Sequence, residues 1–254
     1  MYDIKNFHTG NENIKLIEDL GCFSIIEHLQ DMSVTPQQAM FEYFASKMDC
    51  RKRQVVCQLD GSKPVIIQRG AMQWMLGNVK ATTGIKGAGD LIGKAFRGKV
   101  TGEDAIKPEY TGEGVLVLEP TYKHLALFDI KDWNGAVVLD DGIFAACEGT
   151  LKQSVVARSN FSSAVAGGEG LFNLCLKGTG VFAVELNCPK EELIEIILDN
   201  DVLKIDGNYA VAWSSTLDFT VEKSTKSLLG SAASGEGLVN VYRGTGRVLM
   251  QPIP

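Results

Sequence analysis

Gly168-Glu169-Gly170-Leu171-Phe172-Asn173-Leu174, followed by Gly178-Thr179-Gly180, returns as Gly235-Glu236-Gly237-Leu238-Val239-Asn240-Val241, followed by Gly244-Thr245-Gly246. A fainter copy opens at Gly112-Glu113-Gly114-Val115-Leu116-Val117. Self-similarity at long spacing marks one structural unit used several times. A second element keeps step with the first. Asp141-Gly142-Ile143-Phe144-Ala145-Ala146-Cys147 resembles Asp206-Gly207-Asn208-Tyr209-Ala210-Val211-Ala212, and Gly70-Ala71-Met72-Gln73-Trp74-Met75 reads as an earlier copy. The later copies are 65 residues apart for this element and 67 for the Gly-Glu-Gly element, so two unrelated patterns share one step. The first copy is stretched: Gly70 to Gly112 is 42 residues, against 26 from Gly142 to Gly168 and 28 from Gly207 to Gly235. The excess falls in residues 82–108, rich in Gly and Lys and without period, which reads as a loop insertion.

Outward from these elements the apolar pattern is short and β-like. Val65-Ile66-Ile67, Val115-Leu116-Val117-Leu118, Ala136-Val137-Val138-Leu139, Phe182-Ala183-Val184 and Leu217-Asp218-Phe219-Thr220-Val221 are of strand length and rich in β-branched residues. Gly, Asp or Asn ends most of them. Asp141-Gly142 and Asp206-Gly207 place a glycine where a hairpin needs positive φ. One helix is expected over 36–48, with Thr35 as N-cap, Pro36 at the first position, and Ala39, Met40, Phe41, Phe44 and Met48 at helical spacing. Pro189 to Leu198 opens like a second helix, but the repeat requires a strand in its latter half.

The expected architecture is all-β. An N-terminal segment, residues 1–53, carries the helix. A single domain, residues 54–254, follows as a sandwich or prism of three homologous β-units at about 55–127, 136–186 and 193–251. In such a fold Gly112, Gly168 and Gly235 occupy equivalent turns.

The chain has 254 residues, 45% apolar and 22% charged, within the globular range. A net charge of −6 argues against a broad nucleic-acid or anionic-membrane surface. Arg51-Lys52-Arg53 is a local exception and reads as a solvated turn. The N-terminus shows no secretory pattern and no apolar run reaches membrane-spanning length, so the expected compartment is the cytoplasm, without membrane insertion. Six cysteines, Cys22, Cys50, Cys57, Cys147, Cys175 and Cys188, show no Cys-x-x-Cys pair and read as reduced, several of them in the core.

The candidate chemistry is thin. Gly84 to Lys94 invites a phosphate loop, but the position for its first glycine is Ala88 and Lys94 is followed by Ala95 rather than a hydroxyl residue. No nucleophile elbow is present, and His8, His28 and His124 lack zinc-ligand spacing. His124 is the best candidate for a base, with a strand-surface imidazole as its simpler reading. Glu113, Glu169 and Glu236 stand alike between two glycines. Converging on an axis they would hold a cation; anchoring bulges they are structural, and the structural reading is preferred. No catalytic, cofactor-binding or metal residue is assigned, and no cofactor is expected.

Gly70-Ala71-Met72 followed by Met75-Leu76-Gly77-Asn78-Val79, and above all Ser234-Gly235-Glu236-Gly237-Leu238-Val239 leading to Gly244-Thr245-Gly246 and Gln251, resemble the altered inheritance of mitochondria protein 24 family, also known as domain of unknown function 124. The resemblance covers roughly Gln54 to Pro252. It implies an all-β, internally duplicated fold similar to the tryptophan RNA-binding attenuation protein, and no catalytic activity; mitochondrial relatives are linked to inner-membrane organisation. RNA recognition needs basic residues interleaved with stacking aromatics, and Lys plus Arg are outnumbered here 25 to 31. The functional expectation is a non-catalytic binding or assembly scaffold, associating with itself or another protein. The alternative is a small-molecule-binding protein or enzyme with a site between the units.

Overall fold

The computed structural model describes residues 2–7, 9–82, 107–157, 172–223 and 238–253. Its short apolar runs become strands because their side chains alternate between two buried environments. In β8 (Ala136–Leu139) Val137 and Leu139 face one apolar cluster while Val138 faces another. In β12 (Val181–Leu186) Val181 and Ala183 point one way, Phe182 and Val184 the other. A strand buried on both faces reads as a continuous apolar run, and these do.

The first described sheet contains β1 (Ile14–Leu20), β2 (Phe23–His28), β3 (Arg53–Asp60), β6 (Glu109–Leu118), β4 (Val65–Ile67), β9 (Phe144–Glu148), β12 and β7 (His124–Asp129), in that order, with β5 (Met72–Thr82) also paired to β6. The second runs β10 (Lys152–Ala157), β11 (Phe172–Lys177), β8, β14 (Ala210–Ser214), β16 (Leu238–Met250) and β13 (Ile194–Asp206), with β15 (Asp218–Lys223) also on β16. Both sheets curl. The first wraps a core of Phe23, Ile25, Val55, Cys57, Leu116 and Leu127. Its outer face meets the second sheet through Ala126, Phe182, Val184, Leu139, Leu176 and Val211. Beyond the second sheet, Trp213, Phe219 and Tyr242 pack with ring centroids 5.0–5.3 Å apart. The run after Pro189 resolves as expected, with a 3-10 turn at Lys190–Glu192 leading into β13.

The second and third stretches share one pairing scheme. Lys152 pairs Lys177 as Asp218 pairs Arg243; Leu139 pairs Leu174 as Ile205 pairs Asn240; Cys147 pairs Phe182 as Trp213 pairs Val248. Every one of these partners shifts by 66, midway between the sequence steps of 65 and 67. The register slip in β9 against β12 returns in β14 against β16, skipping Ala145 and Val211. The first stretch keeps less of the scheme. Its β5–β6 hairpin and β3–β6 pairing match, but β7 pairs β12 rather than β4.

Gly112 was expected at a turn and lies inside β6, facing Val79. It has φ +112°, and a Cβ there would come within 1.9 Å of the Asn78 carbonyl oxygen. Gly114, at φ +156°, would bring one to 2.0 Å of the Leu76 carbonyl oxygen. These glycines let β5 and β6 approach where no other residue fits. Gly168 and Gly235 lie outside the described residues, as do residues 83–106 of the expected insertion.

Gly112→Ala and Gly114→Ala should each destabilise the fold by about 2–5 kcal/mol, combining left-handed strain with a steric clash. Gly142 also has positive φ but nothing within 4 Å of an added Cβ, so Gly142→Ala should cost only about 1–2 kcal/mol. Urea unfolding of the three variants tests the ranking; equal losses would contradict it.

Candidate functional site

The inward rows of β2 and β3 each finish in a charge. Phe23 and Ile25 lead to Glu27 along β2; Leu59, Cys57 and Val55 lead to Arg53 along β3. Glu27 and Arg53 face each other in register, and they are 6% and 2% exposed. Buried charges persist only when paired and hydrogen-bonded. Arg53 Nη2 meets Glu27 Oε2 at 2.6 Å and Asp49 Oδ2 at 3.0 Å. Arg51 Nη1 meets Glu27 Oε1 at 2.8 Å and Asp49 Oδ1 at 3.3 Å. The four residues form a closed ring of alternating sign, each charge touching two of the opposite kind. Arg51-Lys52-Arg53 is therefore not the solvated turn its sequence suggests: Arg53 sits in the first inward position of a strand, and its neighbours hold ion pairs.

Asp49 reaches the ring because helix α1 (Pro36–Lys47) stops just before it. The Cys50 N–H donates to the Ala45 carbonyl at 2.9 Å, and Asp49 takes φ +61°, the left-handed residue that ends many helices.

The ring opens into a cleft of about 700 Å³ between β1, β7 and the Pro189–Glu191 segment, with His124 and Lys190 on its walls. This is the seam of the curled sheet, where its two end strands meet without a backbone ladder. Side chains replace that ladder. The Leu127 N–H donates to Glu18 Oε2 at 2.9 Å, and Lys190 Nζ donates to both Leu127 O and Glu18 Oε1 at 2.5 Å. A register shift in β1 between Leu16 and Glu18 accompanies this placement of Glu18. The ammonium of Lys190 also lies 4.5 Å from the Phe128 ring centroid.

His124 is half-buried at the start of β7. Burial first, and then the Arg53 guanidinium, lower its pKa below the usual 6.5. Among the cysteines, Cys147 and Cys175 are core residues, as their apolar runs imply. Burial pushes the Cys147 thiol up to about 12 and raises that of Cys175, so neither supplies a thiolate at neutral pH. Glu113 is exposed on β6, opposite Asp60 and Asn78. Glu169 and Glu236 lie outside the described residues. Among the described residues no three His, Cys, Asp or Glu side chains gather as metal ligands.

Helix α1 is where expected. Thr35 precedes it, with the Gln38 side-chain oxygen accepting from the Thr35 hydroxyl at 3.0 Å. Its polar side faces the protein. The Tyr122 hydroxyl donates to Glu42 Oε1 at 2.5 Å, Arg51 Nε donates to the Ser46 carbonyl at 3.1 Å, and Ser46 is the helix's buried residue. Met40, Phe41, Phe44 and Met48, its apolar stripe, are 61–78% exposed.

Two outcomes test this geometry. Arg53→Ala should cost about 3–5 kcal/mol in chemical denaturation, because it leaves Glu27 buried with one partner instead of two. A loss below about 1 kcal/mol would mean the ring is not structural. For His124 the unfolded chain binds its proton first as pH falls, since the folded pKa is depressed. Its contribution is therefore complete above about pH 6.5 and is lost on acidification towards the folded pKa. His124→Gln should flatten the acid limb of a melting-temperature–pH curve between pH 7 and 5, and an NMR titration should place the imidazole below 6.5.

The family model for mitochondrial biogenesis AIM24 matches residues 47–253. An uncharacterised protein of Streptococcus pyogenes serotype M6 is 29% identical over 207 residues, spanning 78% of this chain and 81% of its own. A crystal structure of a Streptococcus pyogenes protein aligns with a TM-score of 0.59 at 27% identity, over 80% of this chain and 88% of that one. The matched residues include the charge-ring members Asp49, Arg51 and Arg53 and omit most of α1. The chain belongs to the mitochondrial biogenesis AIM24 family.

Proposed function

We propose that this protein is a non-catalytic association module whose working surface is the outward side of α1. One observation carries the reading: a helix that meets its body through Glu42 and Ser46, with Met40, Phe41, Tyr43 and Phe44 in water. Soluble helices ordinarily bury their apolar stripe. Here Met40, Phe41, Tyr43, Phe44 and Met48, on the helix and its C-cap, are all exposed. Exposed apolar patches rimmed by polar residues mark interaction sites.

The cleft beside His124 supports a second reading, a small-molecule site between the N-terminal segment and the β-domain. It ranks behind because its central charges already satisfy one another and its lysine is engaged with Glu18 and Leu127. No helix among the described residues is long and apolar enough to cross a membrane.

The association reading predicts proximity in cells. A photo-reactive amino acid at Phe44 should give covalent adducts on irradiation of producing cells, while the same group at exposed Lys80 should give background only. Equal yields at both positions would remove the basis for the reading.

A further inference from the structure

We infer that the partner of α1 is α1 of a second copy, and that two chains dimerise through this helix about a twofold axis. The inference rests on the association reading above and names its occupant. The helical rise sets residues 100° apart around the axis, so Met40, Phe44 and Met48, at i, i+4 and i+8, form one ridge. Phe41 flanks it on one side and Tyr43 on the other, with the Tyr43 and Phe44 rings 5.5 Å apart. Ridges of this spacing interdigitate with their like in the commonest helix-packing class, with axes crossing near −50°. Under a twofold axis near Phe44, Met40 of one copy meets Met48 of the other. The patch is thus complementary to itself, as an isologous interface requires.

The area agrees. Met40, Phe41, Tyr43, Phe44 and Met48 are 71, 70, 53, 61 and 78% exposed. At about 200 Å² for a fully exposed large side chain they present roughly 670 Å². This is about what one partner contributes to a standard-sized interface, and more than the roughly 300–600 Å² of the largest patch on a typical monomer. The charges do not oppose pairing. Helix α1 holds one acid, Glu42, turned to the body, and one base, Lys47, which lies 5.3 Å from the Tyr43 ring centroid. The ridge is neutral, so the chain's net charge of −6 is not concentrated where the copies meet. The same facts disfavour a lipid surface, because interfacial helices carry lysine and arginine along the polar side, and here that side presents Glu42 and Ser46.

Light scattering coupled to size exclusion, over a hundredfold range of concentration, should find twice the chain mass of 27.5 kDa for the natural protein. Phe44→Glu should give the single-chain mass with an unchanged far-UV circular dichroism spectrum, because the side chain is solvent-exposed in one copy. Phe44→Leu should remain dimeric. A natural protein that is monomeric throughout overturns the inference, and so does a dimer that Phe44→Glu leaves intact. The photo-adduct at Phe44 separates the two claims: its partner peptide should come from α1 of another copy. An adduct with another protein, with lipid, or back onto the same chain overturns the dimer; the first leaves the association reading standing. No adduct, together with a monomer, removes both.

Discussion

The ring of Glu27, Asp49, Arg51 and Arg53 decides how the N-terminal segment meets the β-domain. Withdrawing Glu27 and Arg53 from water is costly, and a pair seldom regains that cost by its own attraction. A closed ring does better, since each charge has two opposite neighbours and no like charge in contact. The ring also constrains geometry. Arg53 belongs to β3, Glu27 to β2, and Asp49 to the left-handed residue that ends α1. Once Asp49 and Arg51 are committed, the last turn of α1 is pinned by the hydrogen bond from Arg51 to Ser46 O, and Glu42 comes to rest under Tyr122. Rotating the helix to hide Phe41 and Phe44 would turn Glu42 and Ser46 outward and break these bonds. An apolar stripe in water follows from an ionic arrangement beneath the helix.

Two of the described strand edges are occupied or charged. A free strand edge invites pairing with another chain, and proteins blunt such edges with charge. At the seam of the first sheet, the amide and carbonyl of Leu127 that face away from β12 are occupied by Glu18 and Lys190, so the backbone there is not free to accept a strand. On the second sheet, β13 has β16 on one side, and its exposed residues Ile194, Ile197 and Val202 are interleaved with Glu195, Asp199, Asp201, Lys204 and Asp206. Charges at that density disfavour stacking of edges. On the helix, exposed Gln37 and Lys47 are polar residues among the apolar side chains, and the acid Glu42 is turned to the body.

Much of the fold was legible in the sequence, for a physical reason. Strands buried on both faces leave long apolar runs, and Val137-Val138-Leu139 or Phe182-Ala183-Val184 admit few other readings. The start of α1 was legible from Thr35 and Pro36. The recurring phrases were legible, but the step of the ladder pairing was not. Turn residues carry the sequence likeness, and turns tolerate the gain or loss of one residue, whereas ladder register does not; hence steps of 65 and 67 around a pairing step of 66. The ring was missed altogether. Its members lie at positions 27, 49, 51 and 53, on both sides of a helix, and nothing local says that they meet. One signal was present: Arg53, Val55, Cys57 and Leu59 alternate as one inward row, so Arg53 reads as buried once β3 is extended by two residues. The orientation of α1 was hidden for the same reason, because periodicity reveals a stripe and not the surface that the stripe faces.

The make-up of that stripe bears on what kind of contact it forms. Two of its four large side chains are methionines, unbranched and polarizable, which fill irregular gaps with little strain. Two phenylalanines supply area with few rotors to immobilise. A ridge with Phe44 at its centre and methionine at both ends places the stiff group at the axis, where the geometry of a twofold contact is most constrained, and the adaptable groups at the periphery, where small errors in crossing angle are largest. Hydrophobic association of this sort needs no polar partner of matching shape, which agrees with a helix whose polar groups are already engaged by Tyr122, Arg51 and the body of the protein. The polar chemistry of the N-terminal segment is used to hold the helix; its apolar chemistry is left for a partner.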